Sequence, residues 1–424
     1  MGKKPPWIKL SHSAIACFKR CPWAWMIAYL WGIRPEQQAE ALYDGGVWHR
    51  GVEILSFPEE SVCEHCADKS KADPDCYFCQ GTTFMVGTPM EVCTRMVVYK
   101  YSTYGSLSQD AVTKMETKRT IILYSLAAYA WRWQDDDAIA KVLACELRFD
   151  TQLINSVTGN PFARVNVVGV IDKLLKLKSK KLSMMEHKST SQDIGVDSLF
   201  WNKLRFDPQT TLYPWALRDM QAKGELRRFK VKETDAPVTT VYYDVWRKPK
   251  SKPKKLTAAL AKELITSGMY CDEQFEVEAT ADENIIKING EETPRYPNAK
   301  GTGCQIQETQ RMFGARLMQD MTTDPDKYFA RREITRTTQD LAKFEQQMVR
   351  VTRTMRHMIS MDCFYQDSST CDDYGGCDSR TICYEDLSVG QDDVPTGYKC
   401  IFHEKGNPNA SSIKKTTAAS NKKG

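Results

Sequence analysis

The stretch VGVIDKLLKLKSKKLSMMEHKST, residues 168–190, decides the fold. One acid, Asp172, interrupts a run of valine, isoleucine and leucine, and Glu186-His187-Lys188 begins fourteen residues later. Aliphatic, partly β-branched residues on both sides of a lysine-rich turn predict two consecutive strands joined as a hairpin. Side chains alternate along a strand, so Asp172 shares a face with Leu174 and Lys176, while Glu186 and Lys188 share a face of the next strand. The two acids then converge at one end of the hairpin. A carboxylate pair with a lysine beside it suits a hard divalent cation, Mg²⁺ or Mn²⁺, which lowers the pKa of a water and neutralises phosphate charge. Taken alone, the same pattern also describes two acids at exposed strand ends, paired with neighbouring lysines.

Outward from the hairpin, ELRFDTQLI (146–154) and VTTVYYDVW (238–246) read as further strands. DPQTTLYPWALRDM (207–220) reads as a helix capped by its aspartate and kinked at Pro214. Upstream, LSHSAIACFKRCPWAWMIAYLW (10–31) carries aromatics at helical spacing and a break near Cys21-Pro22. A second helix begins near Gly46 and carries Trp48 and His49. Residues 108–143 and about 339–358 are helical in pattern, whereas 270–310 has no clear period. Strands mixed with helices indicate an α/β fold.

With 424 residues and 42% hydrophobic content the chain can bury a large core, and its net charge of +5 is too small to define a partner. No apolar run is long enough to span a membrane, and MGKKPPWIKLSHS has no signal-peptide pattern, so a cytoplasmic protein is expected. No GxxxxGK[ST] loop is present, so an ATP-driven motor would be a separate partner. Fifteen cysteines in clusters then point to metal or cluster ligation rather than disulfides.

CEHCADKSKADPDCYFC (63–79) has the spacing CxxC-x9-CxxC. Cys63, Cys66, Cys76 and Cys79 form two tight knuckles suited to tetrahedral Zn²⁺, and an insertion with little apolar content needs such a staple. His65 is positioned to replace a cysteine. In CFYQDSSTCDDYGGCDSRTIC, Cys371, Cys377 and Cys383 follow C-x5-C-x5-C spacing, and Cys363 precedes them. Thiolates this close suit zinc or an iron-sulfur cluster.

Glu146, GVID ending at Asp172, EHK at 186–188 and QTTLY at 209–213 stand in the order found in the PD-(D/E)XK nuclease superfamily. LSHSAIACFKRCPWAWMIAYLWGI resembles the opening helix of its RecB-like branch, and GGVWHRGVEIL resembles that branch's Gly-x-x-His helix. The resemblance spans residues 9–213 and departs at Ile171, where the superfamily name has proline. It implies a restriction-endonuclease-like core, a mixed central sheet flanked by helices, with metal ligands His49, Asp172 and Glu186 and the backbone carbonyl of His187. It also implies Lys188 as the catalytic lysine, Gln209 and Tyr213 as a pair beside the site, and Glu146 as a supporting acid. In the iron-sulfur group of this branch, which includes CRISPR adaptation nucleases and phage exonucleases, one cysteine precedes the nuclease motifs and three follow. Cys21, Cys371, Cys377 and Cys383 match that arrangement, which would hold a 4Fe-4S cluster and clasp the chain's ends together around DNA. A local zinc site using Cys363 is the alternative, and Cys17 is a spare thiol near Cys21.

The chain accordingly divides into N-terminal helices (7–55), a zinc-knuckle insertion (56–95), a nuclease core with its own insertion (96–362), a cysteine-rich segment (363–400) and a disordered basic tail (401–424). Lys248, Lys250, Lys252, Lys254 and Lys255 in RKPKSKPKK, the hairpin lysines, Arg331 and Arg332 are candidates for sequence-independent phosphate contacts. The expected activity is a Mg²⁺- or Mn²⁺-dependent deoxyribonuclease. The resemblance makes it an exonuclease on DNA ends or single strands in recombination, repair or replication, of phage or prokaryotic type. A separate helicase or annealing protein is its expected partner. Alternatives are a CRISPR-adaptation trimming nuclease or a non-catalytic DNA-binding or assembly protein that retains the fold.

Overall fold

The computed structural model describes residues 6–402, apart from 38, 68, 70, 103–107, 137, 156–157, 298–302 and 373–375. Its centre is a six-stranded mixed sheet: β1 (Ile8–Leu10), β2 (Ile139–Ile154), β3 (Pro161–Leu177), β4 (Leu182–Thr190), β5 (Thr240–Arg247) and β6 (Phe329–Thr335). The order runs β1-β3-β4-β5-β6, with β2 antiparallel along the other edge of β3. β3 is long enough to serve two neighbours on one edge. Val165–Val167 pair with β1 in parallel, and Lys173–Lys176 pair with β4 in antiparallel register. Pairing of β3 with β4 ends at Lys173 and Met185; beyond that point β4 stays with β5, in parallel, from Met184 to Thr190. The hairpin forks where the two acids sit.

Helices cover this sheet. α1 (His12–Arg20) is capped by Ser11, whose hydroxyl accepts from the Ala14 N–H. Extended Cys21 ends it, and Pro22 starts the next short helix, where a missing N–H does no harm. α2 (Glu40–Ile54) starts six residues earlier than Gly46. It packs with α3 (Pro89–Lys100) and α4 (Gln109–Arg132) around Trp48, Val52, Val92, Leu126 and Trp246. A Cβ at Gly51 would lie 2.6 Å from the Leu126 side chain, so glycine there lets α2 approach α4. Further helices include α5 (Gln209–Ala222), α6 (Gln310–Thr323) and α7 (Thr338–Met361). α5 and α7 join α1 over the core of Leu10, Phe18, Val167, Leu212 and Met348.

Two expectations shift. Residues 139–143, patterned as helix, begin β2. The stretch 270–310 holds four short antiparallel strands between Val277 and Ile306, too brief to leave a period in the sequence. Pro214 lies buried inside α5, within the helix as expected. Residues 403–424, most of the expected basic tail, lie outside the described residues. The last described strand, Tyr398–Cys400, returns to pair with Ile33–Pro35 near the chain's start. Among the described residues no helix is long and apolar enough to cross a membrane.

Candidate active site

At the fork, Asp172 faces the position of Glu186. The main chain of β4 has left β3, and the Asp172 carboxylate substitutes for a strand acceptor: Oδ2 takes the His187 N–H at 2.7 Å. His49 Nδ1 comes from α2 to within 3.7 Å of the same oxygen. Glu186 is buried, 3% exposed, and its Oε1 accepts from Lys188 Nζ at 2.9 Å and Gln209 Nε2 at 2.7 Å. Gln209 Oε1 accepts from Lys188 at 2.5 Å, and its amide also donates to Tyr213 Oη at 2.8 Å. One glutamine therefore fixes both the acid and the lysine. A Cβ at Gly169 would meet the Phe149 ring at 2.5 Å and Tyr213 at 3.2 Å, so this glycine makes room for Tyr213 over the sheet.

Electrostatics at the fork favour a cation. Burial, reinforced by Glu146, raises the Asp172 carboxyl to about 7, against the His187 N–H and Lys188. Burial and the Asp172 charge raise Glu186 to about 7 as well. Burial lowers His49, leaving the neutral imidazole that metal ligation requires. Burial also opposes charge on Lys188, but Glu186 and Asp207 outweigh it and hold the ammonium protonated. Glu186 Oε2 is buried without a hydrogen-bond partner. An orphaned carboxylate oxygen beside a second acid and a neutral histidine fits a hard divalent ion. His49, Asp172 and Glu186 are the residues that could hold it.

The His187 side chain lies on the other side of β4. Its Nδ1 is 3.0 Å from Asp244 Oδ2, and burial pushes the imidazole down to about 3. Its ring meets His49 edge-on, with centroids 6.1 Å apart, while its main-chain N–H reaches Asp172. Arg331, expected on a DNA-facing surface, is instead an internal group. Its guanidinium donates to Asp244 Oδ1 at 3.0 Å, to Tyr129 Oη at 2.9 Å and to Asp136, with Trp133 under its plane at 3.9 Å. All three of its nitrogens are thus engaged by internal partners. Lys173 is likewise buried, at 5% exposure, and takes no part in a surface patch. Arg332 covers Trp201, and Lys250, Lys252, Lys254 and Lys255 are exposed, Lys255 over the Tyr296 ring. Lys248 is partly covered, 3.9 Å from Asp44.

Three contributors, Asp207, Arg50 and Glu53, lay hidden in the sequence. Asp207, read only as a helix cap, accepts the Gln209 N–H at 2.9 Å and the Tyr243 hydroxyl at 3.1 Å, and lies 3.0 Å from His12. It thereby anchors Gln209 to the sheet and to α1. Glu53 and Arg50 pair at 2.6 Å beside His49, and the i, i+4 spacing of His49 and Glu53 was the available signal. Glu146, expected as a supporting acid, adopts a left-handed φ of 47° opposite Asp172 in β2 and lines the cleft.

The four knuckle thiols converge, with all ligand atoms within 4.8 Å of one another and Cys63 and Cys76 sulfurs 3.8 Å apart. A tetrahedral Zn–S₄ centre has sulfur separations of about 3.8 Å. Burial raises Cys63 to about 12, whereas N–H groups of Gly81 and Thr83 overcome burial at Cys79 and bring it to about 7. His65 does not enter this set; its Nε2 lies 3.1 Å from Tyr77 Oη. At the other end, Cys371 and Cys383 each feel the charges of Cys377 and Cys21, so residues more than 340 positions apart in sequence share one neighbourhood. The Asp367 N–H points at Cys21 Sγ, 3.4 Å away. Cys363 is exposed at the end of α7.

A family profile describing the PD-(D/E)XK nuclease superfamily matches residues 9–384, and the chain belongs to that superfamily. It is a metal-dependent nuclease by family. A search among curated proteins found no match.

Proposed function

We propose that this chain is a Mg²⁺- or Mn²⁺-dependent DNA exonuclease acting on ends or single strands. The observation that carries the reading is the fork itself, where unpaired Glu186 Oε2 lies beside Asp172 while Lys188 is anchored to the same carboxylate. His49, Asp172, Glu186 and the His187 carbonyl would hold the ion, which supplies an activated water and neutralises phosphate charge. Lys188 remains protonated, so it acts as a hydrogen-bond donor to the attacking water and the phosphate rather than as a base. Gln209 holds that ammonium in place, Tyr213 holds Gln209, and Glu146 supports the acidic floor.

Cys63, Cys66, Cys76 and Cys79 hold zinc in this reading, because their sulfur spacing suits one ion. Cys21, Cys371, Cys377 and Cys383 hold a 4Fe-4S cluster that clasps the chain's ends. The knuckle insertion, nuclease core and cysteine-rich segment divide the chain at the boundaries given above. Lys248, Lys250, Lys252, Lys254, Lys255 and Arg332 contact phosphates, the protein works in the cytoplasm in recombination, repair or replication, and a separate helicase or annealing protein is its partner.

End-labelled DNA with Mn²⁺ tests the assignment. Asp172→Ala and Lys188→Ala abolish degradation by purified protein, and circular single strands resist the unmodified chain. Degradation surviving either substitution rejects the site, and cleavage of circles rejects the exonuclease mode.

A further inference from the structure

A cleft of about 870 Å³ opens beside Asp172, and the metal knuckle forms part of its wall. His49, Arg50, Glu53 and Glu146 line the catalytic side, while Glu64, His65 and Tyr77 come from the knuckle. The two sides are tied together. Arg50, next to His49 in α2, donates from Nε to Tyr77 Oη at 3.3 Å and from Nη1 to Glu53 at 2.6 Å. Tyr77 Oη lies 3.1 Å from His65 Nε2, and the Tyr77 ring packs against Tyr99 at 5.7 Å. Fixing the four thiols therefore fixes Tyr77 and His65 relative to His49. A staple that merely closed a loop would need no contact with the helix carrying His49.

Charge decides what this wall can touch. A phosphate-binding wall is basic, but here Glu53 neutralises Arg50, and Glu64 and Glu146 offset Lys100 and Arg148 along the same lining. Aromatic surface remains: His65 is exposed, Tyr77 half-buried, and Tyr99, packed on Tyr77, 57% exposed. Nucleobases stack on such rings without regard to sequence. In a duplex those base faces are already covered by neighbouring pairs, so the strand beside this wall is unpaired.

We infer that the metal knuckle is the base-binding wall of the active site, with His65 and Tyr77 stacking against unpaired bases next to the scissile phosphate. Arg50 is the positioning residue that couples the knuckle to His49. This inference rests on the reading of the fork as a DNA-cleaving site, and the test separates the two.

Binding of a short fluorescein-labelled single strand is measured on the full chain carrying Lys188→Ala, which leaves the probe intact. Adding His65→Ala or Tyr77→Ala weakens binding about 10-fold or more, while Tyr77→Phe, which keeps the ring but loses the hydroxyl that Arg50 holds, weakens it less than either. A strand with abasic sites binds the parent equally weakly and no longer distinguishes the variants. Zinc analysis accompanies each protein; if Tyr77→Ala sheds its metal, exposed His65 and the abasic strand decide. Unchanged affinity in His65→Ala, or an abasic strand bound as tightly as the normal one, overturns the inference. Failure of the underlying function looks different: the unmodified chain leaves labelled DNA intact with Mn²⁺, or the parent binds no DNA at all.

Discussion

Lys188 and Gln209 divide one task. The ammonium contacts the reacting groups, whereas the amide holds ammonium and Glu186 together through two hydrogen bonds and is itself held by a third to Tyr213. Lys188→Ala should leave no detectable DNA cleavage, a loss well beyond about 100-fold, with the Mn²⁺-induced rise in Tm retained. Gln209→Ala should lower cleavage by roughly 10–100-fold, the range for groups that orient ligands, and Gln209→Glu should not rescue it, since a carboxylate cannot donate to Glu186. The paired acids give a pH signature. Their folded-state pKa values are raised to about 7, so in metal-free protein their contribution to stability is full below about 4 and is lost as pH rises through about 7. A divalent ion competes with those protons. The Tm difference between Mn²⁺ and EDTA should therefore be larger at pH 8 than at pH 6, and equal differences would reject the fork as the ion site.

The elements around the fork are held by a buried network on the opposite side of β4. His187, Tyr129 and Arg331 converge on Asp244, whose carboxyl is held well below its ordinary range by Arg331 and His187 despite burial. This ties α4, β4, β5 and β6 together behind the acids. Asp244→Ala should destabilise the protein by about 3–5 kcal/mol in urea unfolding, because it strands a buried guanidinium. Asp244→Asn should lose less, since an amide still accepts from Arg331 and conserves volume. The helix α2 is positioned by Trp48, stacked on Trp246 at 4.1 Å. Sequence pattern located α2 and His49 but could not show that Trp48 meets a residue almost two hundred positions away.

At the scale of the whole molecule, the two ends of the chain close on each other. Trp23 donates its N–H to the Tyr365 carbonyl at 3.1 Å, Trp25 stacks on Phe364, and Tyr398–Cys400 adds a strand beside Ile33–Pro35. The thiols of Cys21, Cys371, Cys377 and Cys383 lie in this closure. Anaerobically purified protein should carry about four irons and about one zinc per chain. Cys377→Ala should lose the iron and its colour and lower Tm, while keeping the zinc. A second zinc in place of iron would reject the cluster.

By itself the sequence determined the hairpin, its acids and the thiol spacings, because these depend on local alternation and on residues close in the chain. Asp172, Glu186, Lys188 and the CxxC pairs were legible for that reason. Arg331 was misread as a surface cation because a basic side chain looks the same in sequence whether it meets water or Asp244. His65 and Tyr77 gained a place at the cleft only when the knuckle folded back on α2. The tertiary structure alone decided where β4 parts from β3, since strand pairing beyond the turn depends on competition from β5. That parting leaves Glu186 Oε2 without a partner beside Asp172, and it turns a buried hairpin into a site for a cation.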